Sequence, residues 1–199
     1  MSKQGFTLIE LMVAITIIGI LIGGGVSAWQ RASSLSRYLN ATHEIDALIK
    51  EANALAIASR AQKTAQTAAE GKEIDALINP IGINIPISTK NILPDPSQKV
   101  TIFQDNNLNN RFDSDDEIIN QNIITTPAAI KPADGETINQ INIIYSPPRA
   151  QTNIYKGDDF INSAPEASFL VTNHFDNYSK ATRFKILRST GVHITSKEL

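Results

Sequence analysis

The spacing of hydrophobic positions along this 199-residue chain changes twice. From Phe6 to Trp29 the sequence is almost continuously apolar, and Glu10 is its single charged residue. Apolar residues then recur every three or four positions, which predicts an amphipathic helix. After Pro80 they alternate with polar residues, which predicts β-strands. The pattern therefore predicts an α+β fold, with a long amino-terminal helix that packs on an antiparallel sheet domain.

The apolar run at 6–29 has 24 residues and, as a helix, spans about 36 Å, which exceeds the bilayer core of about 30 Å. A helix buried in a soluble protein usually shows a polar stripe, but between Leu11 and Ile22 only Thr16 is polar. A secretory signal peptide ends at a small-residue cleavage site, whereas this chain continues through Ala28 into a helical pattern. The run is best interpreted as a membrane anchor.

The amphipathic pattern continues the same helix over residues 30–60, since no proline interrupts the chain before Pro80. We expect one helix from Phe6 to about Ala58, with an apolar stripe on its second half that faces the domain. The stretch Ala61–Lys72 is predicted to be a loop before a short second helix. The positions of the stripe are Leu35, Leu39, Ile45, Leu48, Ile49, Ala52, Leu55 and Ala56.

Residues 61–199 are predicted to form a β-rich globular domain, in which period-two patterning begins at Pro80 and Pro86 favours an edge strand. Turn residues separate the predicted strands. The predicted strands are Ile81–Ile87, Lys99–Gln104, Glu117–Thr125, Ile138–Ser146, Ala167–Thr172, Thr182–Arg188 and Val192–Thr195.

Composition removes several classes of function. The chain has no cysteine, which excludes disulfides, thiolate metal sites and thiol nucleophiles. Its three histidines are scattered, and no phosphate-binding glycine loop or serine elbow occurs. The net charge of −2 argues against a global attraction to nucleic acid. We therefore interpret the chain as non-enzymatic.

Glu10 needs an explanation, because a carboxylate inside a membrane helix costs about 2.5–3.5 kcal/mol on insertion scales. Either it stays hydrated near the interface, or it meets a positive charge from another subunit. The run from Gly5 to Ala14 (GFTLIELMVA) resembles the class III signal of type IV pilins and type II secretion pseudopilins. Residues 1–5 would then be a prepilin leader.

The resemblance implies that prepilin peptidase cuts between Gly5 and Phe6 and methylates the new amino terminus of Phe6. It also implies that Glu10 pairs with the terminal amine of a neighbouring subunit. Such pairing relieves two charges that are costly in lipid. The expected location is the bacterial inner membrane, with the domain in the periplasm or on an extracellular filament. The expected partners are prepilin peptidase, other pilin or pseudopilin subunits and the inner-membrane assembly platform.

Two further stretches resemble the GspH/FimT-type minor pseudopilins: Ile102–Glu117, an Asp/Asn-rich turn between strands, and Arg183–Ile194, a closing hairpin. This resemblance implies a minor pilin or pseudopilin of a type II secretion pseudopilus or a type IV pilus. The alternatives are a DNA-binding minor pilin of DNA uptake and a non-assembling, membrane-anchored binding protein.

The Asp/Asn-rich turn has oxygen-bearing side chains at alternate positions, as a calcium loop requires. Its sixth position is Asn110 where such loops have glycine, and Glu117 falls one residue late. A solvated turn favours the same residue types, because their side chains bond the local backbone. Calcium is therefore one candidate cofactor. The candidate ligands are Asp105, Asn107, Asn109, Asp113 and Asp116.

A local basic cluster near the end of the chain is a candidate nucleic-acid site, because such residues contact phosphates. Alternation places Arg183 and Lys185 opposite Phe184 and Ile186, which is also ordinary strand patterning. The cluster consists of Lys180, Arg183, Lys185 and Arg188.

Overall fold

The computed structural model describes residues 7–70, 79–88, 98–124, 128–133, 137–146, 151–157, 159, 163–173, 181–188 and 193–198, with the backbone alone for 60–70 and 193–198. One helix and nine strands form within these ranges. The elements are α1 (Leu8–Glu70), β1 (Ile81–Pro86), β2 (Lys99–Gln104), β3 (Glu117–Ile123), β4 (Ala128–Pro132), β5 (Gln140–Ser146), β6 (Gln151–Lys156), β7 (Glu166–Asn173), β8 (Ala181–Leu187) and β9 (His193–Glu198).

The helix α1 is longer than its apolar pattern indicates, because it continues to Glu70 without a break. The prediction that it ends near Ala58 and that a loop begins at Ala61 is wrong. Between Ile57 and Glu70 the chain has neither proline nor glycine and is rich in alanine, which favours the helix. The predicted short second helix lies outside the described residues.

The strands form two antiparallel sheets where the sequence predicted one. Sheet A has the order β3-β2-β1-β5-β6, and sheet B has the order β4-β7-β8-β9. The predicted fold class, α+β with a long amino-terminal helix packed on antiparallel β-structure, is confirmed. The strands β4 and β6 were missed, since β4 is short and ends in proline, and β6 (QTNIYK) is largely polar.

Pro86 does not mark an edge strand, because β1 is the central strand of sheet A. Pairing of β1 with β2 ends at Asn84, while pairing with β5 continues to Pro86. The proline therefore lies at the last position of the strand, where a missing N–H costs little.

The main core lies between α1 and the inner faces of both sheets. The helix contributes a stripe at three- and four-residue spacing, which includes Ile45, Leu48, Ile49 and Ala52. Sheet A contributes the isoleucines of β1, β2 and β5, and sheet B contributes stacked rings of Phe169 and Phe184 on neighbouring strands, with centroids 5.0 Å apart. The domain thus holds the second half of α1 and leaves the first half outside.

Strand β3, at the edge of sheet A, turns polar side chains toward the helix, whereas β2 and β1 turn isoleucines toward it. Asn120 lies opposite the core residue Ile102 and donates to both carboxylate oxygens of Glu51 on α1 at 3.0 and 3.2 Å. Ile118 lies opposite Phe103, whose ring belongs to a small second cluster on the outer face of the sheet. Directly opposite residues share a face, so β3 turns amides toward the helix and isoleucine outward.

Candidate functional site

The first half of α1 is an apolar rod without packing partners in the described part of the chain. Every residue from Thr7 to Ala32 is exposed, and the first buried helix residue is Ser34. The helix is long and apolar enough to cross a membrane, and its most apolar 18-residue window has no buried residue. A large unburied apolar surface requires lipid or other protein to cover it, so the helix is consistent with membrane anchoring.

Glycines interrupt neither the rod nor its hydrogen-bond pattern, since α1 is continuous through Gly19 and the run Gly23–Gly25. Beyond its chain neighbours and the adjoining helix backbone, a Cβ atom placed on any of these four glycines would meet no described atom within 4 Å. The glycines are therefore not required by packing within the described part of the chain. Their open surface suits close approach of a second membrane helix.

The helix begins with a reciprocal capping arrangement between Thr7 and Glu10. The backbone N–H and the Oγ1 hydroxyl of Thr7 both donate to Oε2 of Glu10 at 2.9 Å. The backbone N–H of Glu10 approaches Oγ1 of Thr7 at 3.4 Å. This threonine–x–x–glutamate pattern is a capping box, which satisfies donors that the first helical turn leaves unpaired. Sequence reasoning singled out Glu10 but missed Thr7, although the Thr-x-x-Glu spacing was a readable signal.

The predicted processing residues Gly5 and Phe6 lie outside the described residues. Glu10 is exposed, as pairing with a neighbouring subunit requires. The roles assigned to Gly5, Phe6 and Glu10 thus remain predictions.

The five candidate calcium ligands form one compact turn that is closed by its own hydrogen bonds. The buried carboxylate of Asp105 accepts the N–H groups of Asn109 and Asn110 at 3.2 and 2.9 Å. Leu108 and Asn110 adopt positive φ values of 60° and 63°. Asn110 is suited to the left-handed conformation, because a short polar side chain tolerates it. The turn is therefore stabilised by hydrogen bonds between its own side chains and backbone.

The other two acidic residues among the candidate calcium ligands also accept hydrogen bonds. Asp116 accepts the N–H groups of Asn106 and Asp113 at 3.1 and 3.0 Å. Burial raises the pKa of Asp116 despite these bonds, and the neighbouring charges of Asp105 and Asp113 raise it further.

Hydrogen bonds from the N–H of Asp115 and the amides of Asn109 and Asn107 lower the pKa of Asp113. Among the described residues, no group of three or more His, Cys, Asp or Glu side chains is arranged to hold a metal ion. Calcium binding through Asp105, Asn107, Asn109, Asp113 and Asp116 stays a prediction.

Three of the four candidate nucleic-acid residues lie within the described structure. Lys180 lies outside the described residues. Arg183 and Lys185 lie on the outer face of β8, where Lys185 forms an ion pair with Glu166 at 2.8 Å. Arg188 lies beyond the end of β8, near the phenol of Tyr155. Burial raises the pKa of this phenol, and the guanidinium of Arg188 partly opposes that rise.

The strand register brings in a basic residue that the sequence analysis missed. Lys131 on β4 lies opposite Leu170 on β7, and Leu170 lies opposite Arg183 on β8. Lys131 and Arg183 therefore share the outer face of sheet B, about 10 Å apart across one intervening strand. Lys131 is 52 residues from Arg183 in the sequence, so no local pattern could have joined them.

Comparison with known proteins gives one match. Residues 1–26 match a family model described as the prokaryotic N-terminal methylation motif. No curated protein and no solved structure matches the chain. The motif, together with the exposed apolar helix, supports a type IV pilin-like protein that is structural and anchored in a membrane. It also implies processing by prepilin peptidase and assembly with other pilin subunits.

Proposed function

We propose that the chain is a minor pilin or pseudopilin subunit of a type II secretion pseudopilus or a type IV pilus. The main support for this proposal is that the segment with the methylation motif continues into the apolar rod. The rod has no packing partner in the described part of the chain. In this proposal the rod lies first in the bacterial inner membrane and then against the rods of other subunits. The domain projects into the periplasm or from an extracellular filament.

Processing at Gly5–Phe6 would produce the amine that assembly needs. Glu10 lies at the start of α1 and is exposed, so its carboxylate is available to the amine of an adjacent subunit. Pairing of the two charges in lipid removes the cost of leaving either one unpaired. Association of two subunits with their helices in the correct axial register would therefore be favoured over association in a shifted register. The inner-membrane assembly platform would supply the subunits in the required orientation.

Mass spectrometry of the amino-terminal peptide from native membranes tests this proposal. The expected first residue is N-methylated Phe6. A peptide that still begins at Met1, or one that starts beyond Ala28, would contradict the proposal. An intact amino terminus would favour a non-assembling, membrane-anchored binding protein, and a start beyond Ala28 would favour a secreted protein.

Binding of DNA is a second candidate function, and the alignment of Lys131 and Arg183 on one face of sheet B supports it. Phosphate contacts predict affinity for duplex DNA that falls as salt rises. The matched comparison is Lys131→Gln and Arg183→Gln against Lys50→Gln, which alters an exposed lysine on α1. Absent binding, or binding of the first two variants equal to that of the third, would remove this candidate.

A further inference from the structure

The two carboxylate oxygens of Glu10 have different surroundings. Both donors of Thr7, the backbone N–H and the Oγ1 hydroxyl, bond to Oε2 at 2.9 Å. Within the described part of the chain, Oε1 accepts no hydrogen bond. A carboxylate can accept about four hydrogen bonds, so the capping box uses half of this capacity. The remaining capacity, on Oε1, has no donor within the described residues.

The difference between the two carboxylate oxygens is important because Glu10 lies at the membrane end of an apolar helix. A glutamate side chain has three rotatable bonds, and fixing them during association costs free energy. Two bonds from Thr7 fix the side chain before a neighbour arrives and partly compensate the charge where water is scarce. A donor that approaches Oε1 need not break either bond.

We infer that Thr7 is a positioning residue, which holds Glu10 through Oε2 and presents Oε1 to the amine of a neighbouring subunit. The inference rests on the proposed function, in which Glu10 pairs with that amine. It assigns the Thr7 hydroxyl a role in assembly that is separate from membrane insertion.

The test uses the full-length chain in native membranes, with Thr7→Val and Thr7→Ser compared with the unchanged protein. Valine preserves the shape of threonine but lacks the hydroxyl, whereas serine keeps it. The measurement is the fraction of processed chain that enters sheared or sedimented filaments. We expect Thr7→Val to lower this fraction about three- to tenfold, as loss of one preorganised side chain predicts, and Thr7→Ser to retain it within about twofold.

Thr16 provides a matched control on the same helix. Its hydroxyl donates to the backbone oxygen of Met12 at 2.8 Å, so Thr16→Val also removes a threonine hydroxyl from the apolar segment. We expect Thr16→Val to assemble like the unchanged protein. Equal losses for Thr7→Val and Thr16→Val, or equal losses for Thr7→Val and Thr7→Ser, would overturn the inference.

A second measurement does not depend on processing. In bicelles, the NMR signal of the Glu10 carboxyl carbon should shift in Thr7→Val and stay in place in Thr7→Ser, because only valine removes the hydroxyl donor. An unchanged signal in Thr7→Val would overturn the inference whatever the assembly result. The proposed function is tested independently of this inference, and it is contradicted if the mature chain does not begin at N-methylated Phe6.

Discussion

The hydroxyl groups of Tyr38 on α1 and Thr182 on β8 lie 2.6 Å apart and form a buried hydrogen bond. The two residues are 144 positions apart in the sequence. Tyr38 follows Ser34 by one helical turn, and Ser34 is the first buried residue of α1. This bond thus joins sheet B to the helix at the level where the exposed rod ends and the domain begins.

Removal of this bond should weaken attachment of the domain to the helix. Tyr38→Phe leaves the buried hydroxyl of Thr182 without its partner, so we expect the free energy of unfolding to fall by about 1–3 kcal/mol. Denaturant unfolding of the full chain in detergent measures the change. In Tyr38→Phe/Thr182→Val neither hydroxyl is left unpaired, so its loss should be smaller than the sum of the single losses. Additive losses would contradict direct coupling.

The two sides of α1 should respond differently to the same truncation. Ile49 is 1% exposed in the core, whereas Ile57 is 56% exposed on the same helix. Ile49→Ala should lower the free energy of unfolding by about 2–5 kcal/mol, because it removes buried methyl groups and leaves a cavity. Ile57→Ala should change it by less than about 0.5 kcal/mol. Similar losses in the two variants would mean that the helix packs on another face.

Gly82 on β1 should not accept a side chain. A Cβ atom at this position would clash with Cζ of Phe103 and would lie 2.7 Å from Cδ1 of Ile144. We expect Gly82→Ala to lower the free energy of unfolding by about 1–3 kcal/mol through overpacking. The smaller side chain in Gly82→Ala/Phe103→Leu should recover part of this loss. A double variant less stable than both single variants would contradict the proposed clash.

Tyr145 should make stability depend on alkaline pH. Burial raises the pKa of its phenol from 10.0 to about 12. Above pH 10 the unfolded chain loses this proton while the folded chain keeps it, so stability falls as pH rises toward 12. Tyr145→Phe should remove this contribution to the pH dependence. It should also stabilise the domain by about 1 kcal/mol, since the buried hydroxyl has no hydrogen-bond partner among the described residues.

Denaturant unfolding between pH 9 and pH 11.5 tests the prediction for Tyr145. The matched control is Tyr155→Phe, because burial also raises the pKa of Tyr155 but that phenol lies near Arg188. An identical pH dependence in Tyr145→Phe and the unchanged protein would show that Tyr145 ionises as readily in the folded state as in the unfolded state.

The Asp/Asn-rich turn should depend on Asp105 for its shape. Asp105→Ala leaves the N–H groups of Asn109 and Asn110 without their acceptor, so we expect faster protease cleavage within 105–116. Calcium ligation requires, in addition, that Ca²⁺ slows cleavage of the unchanged turn and that Mg²⁺ does not. Cleavage that is indifferent to Ca²⁺ would remove the metal prediction and leave the role of Asp105 intact.

The basic residues of β8 show which features a sequence pattern can predict and which it cannot. The alternation of Arg183 and Lys185 with the buried Phe184 and Ile186 was readable and is confirmed. The ion pair of Lys185 with Glu166 depends on the register between β7 and β8. Strand register sets such neighbours, and register depends on the whole sheet and its turns.

The sequence by itself determined the apolar helix, its continuation as an amphipathic helix and the presence of a strand-rich domain. These features follow from side-chain periodicity and length, which act locally along the chain. Tertiary structure decided how the strands divide between two sheets, that β3 turns isoleucine outward and that Lys131 and Arg183 share one face of sheet B. Those outcomes depend on pairing between residues that are distant in sequence. The free energy of burial that selects the pairing comes from many elements together, so the local sequence pattern does not predict it.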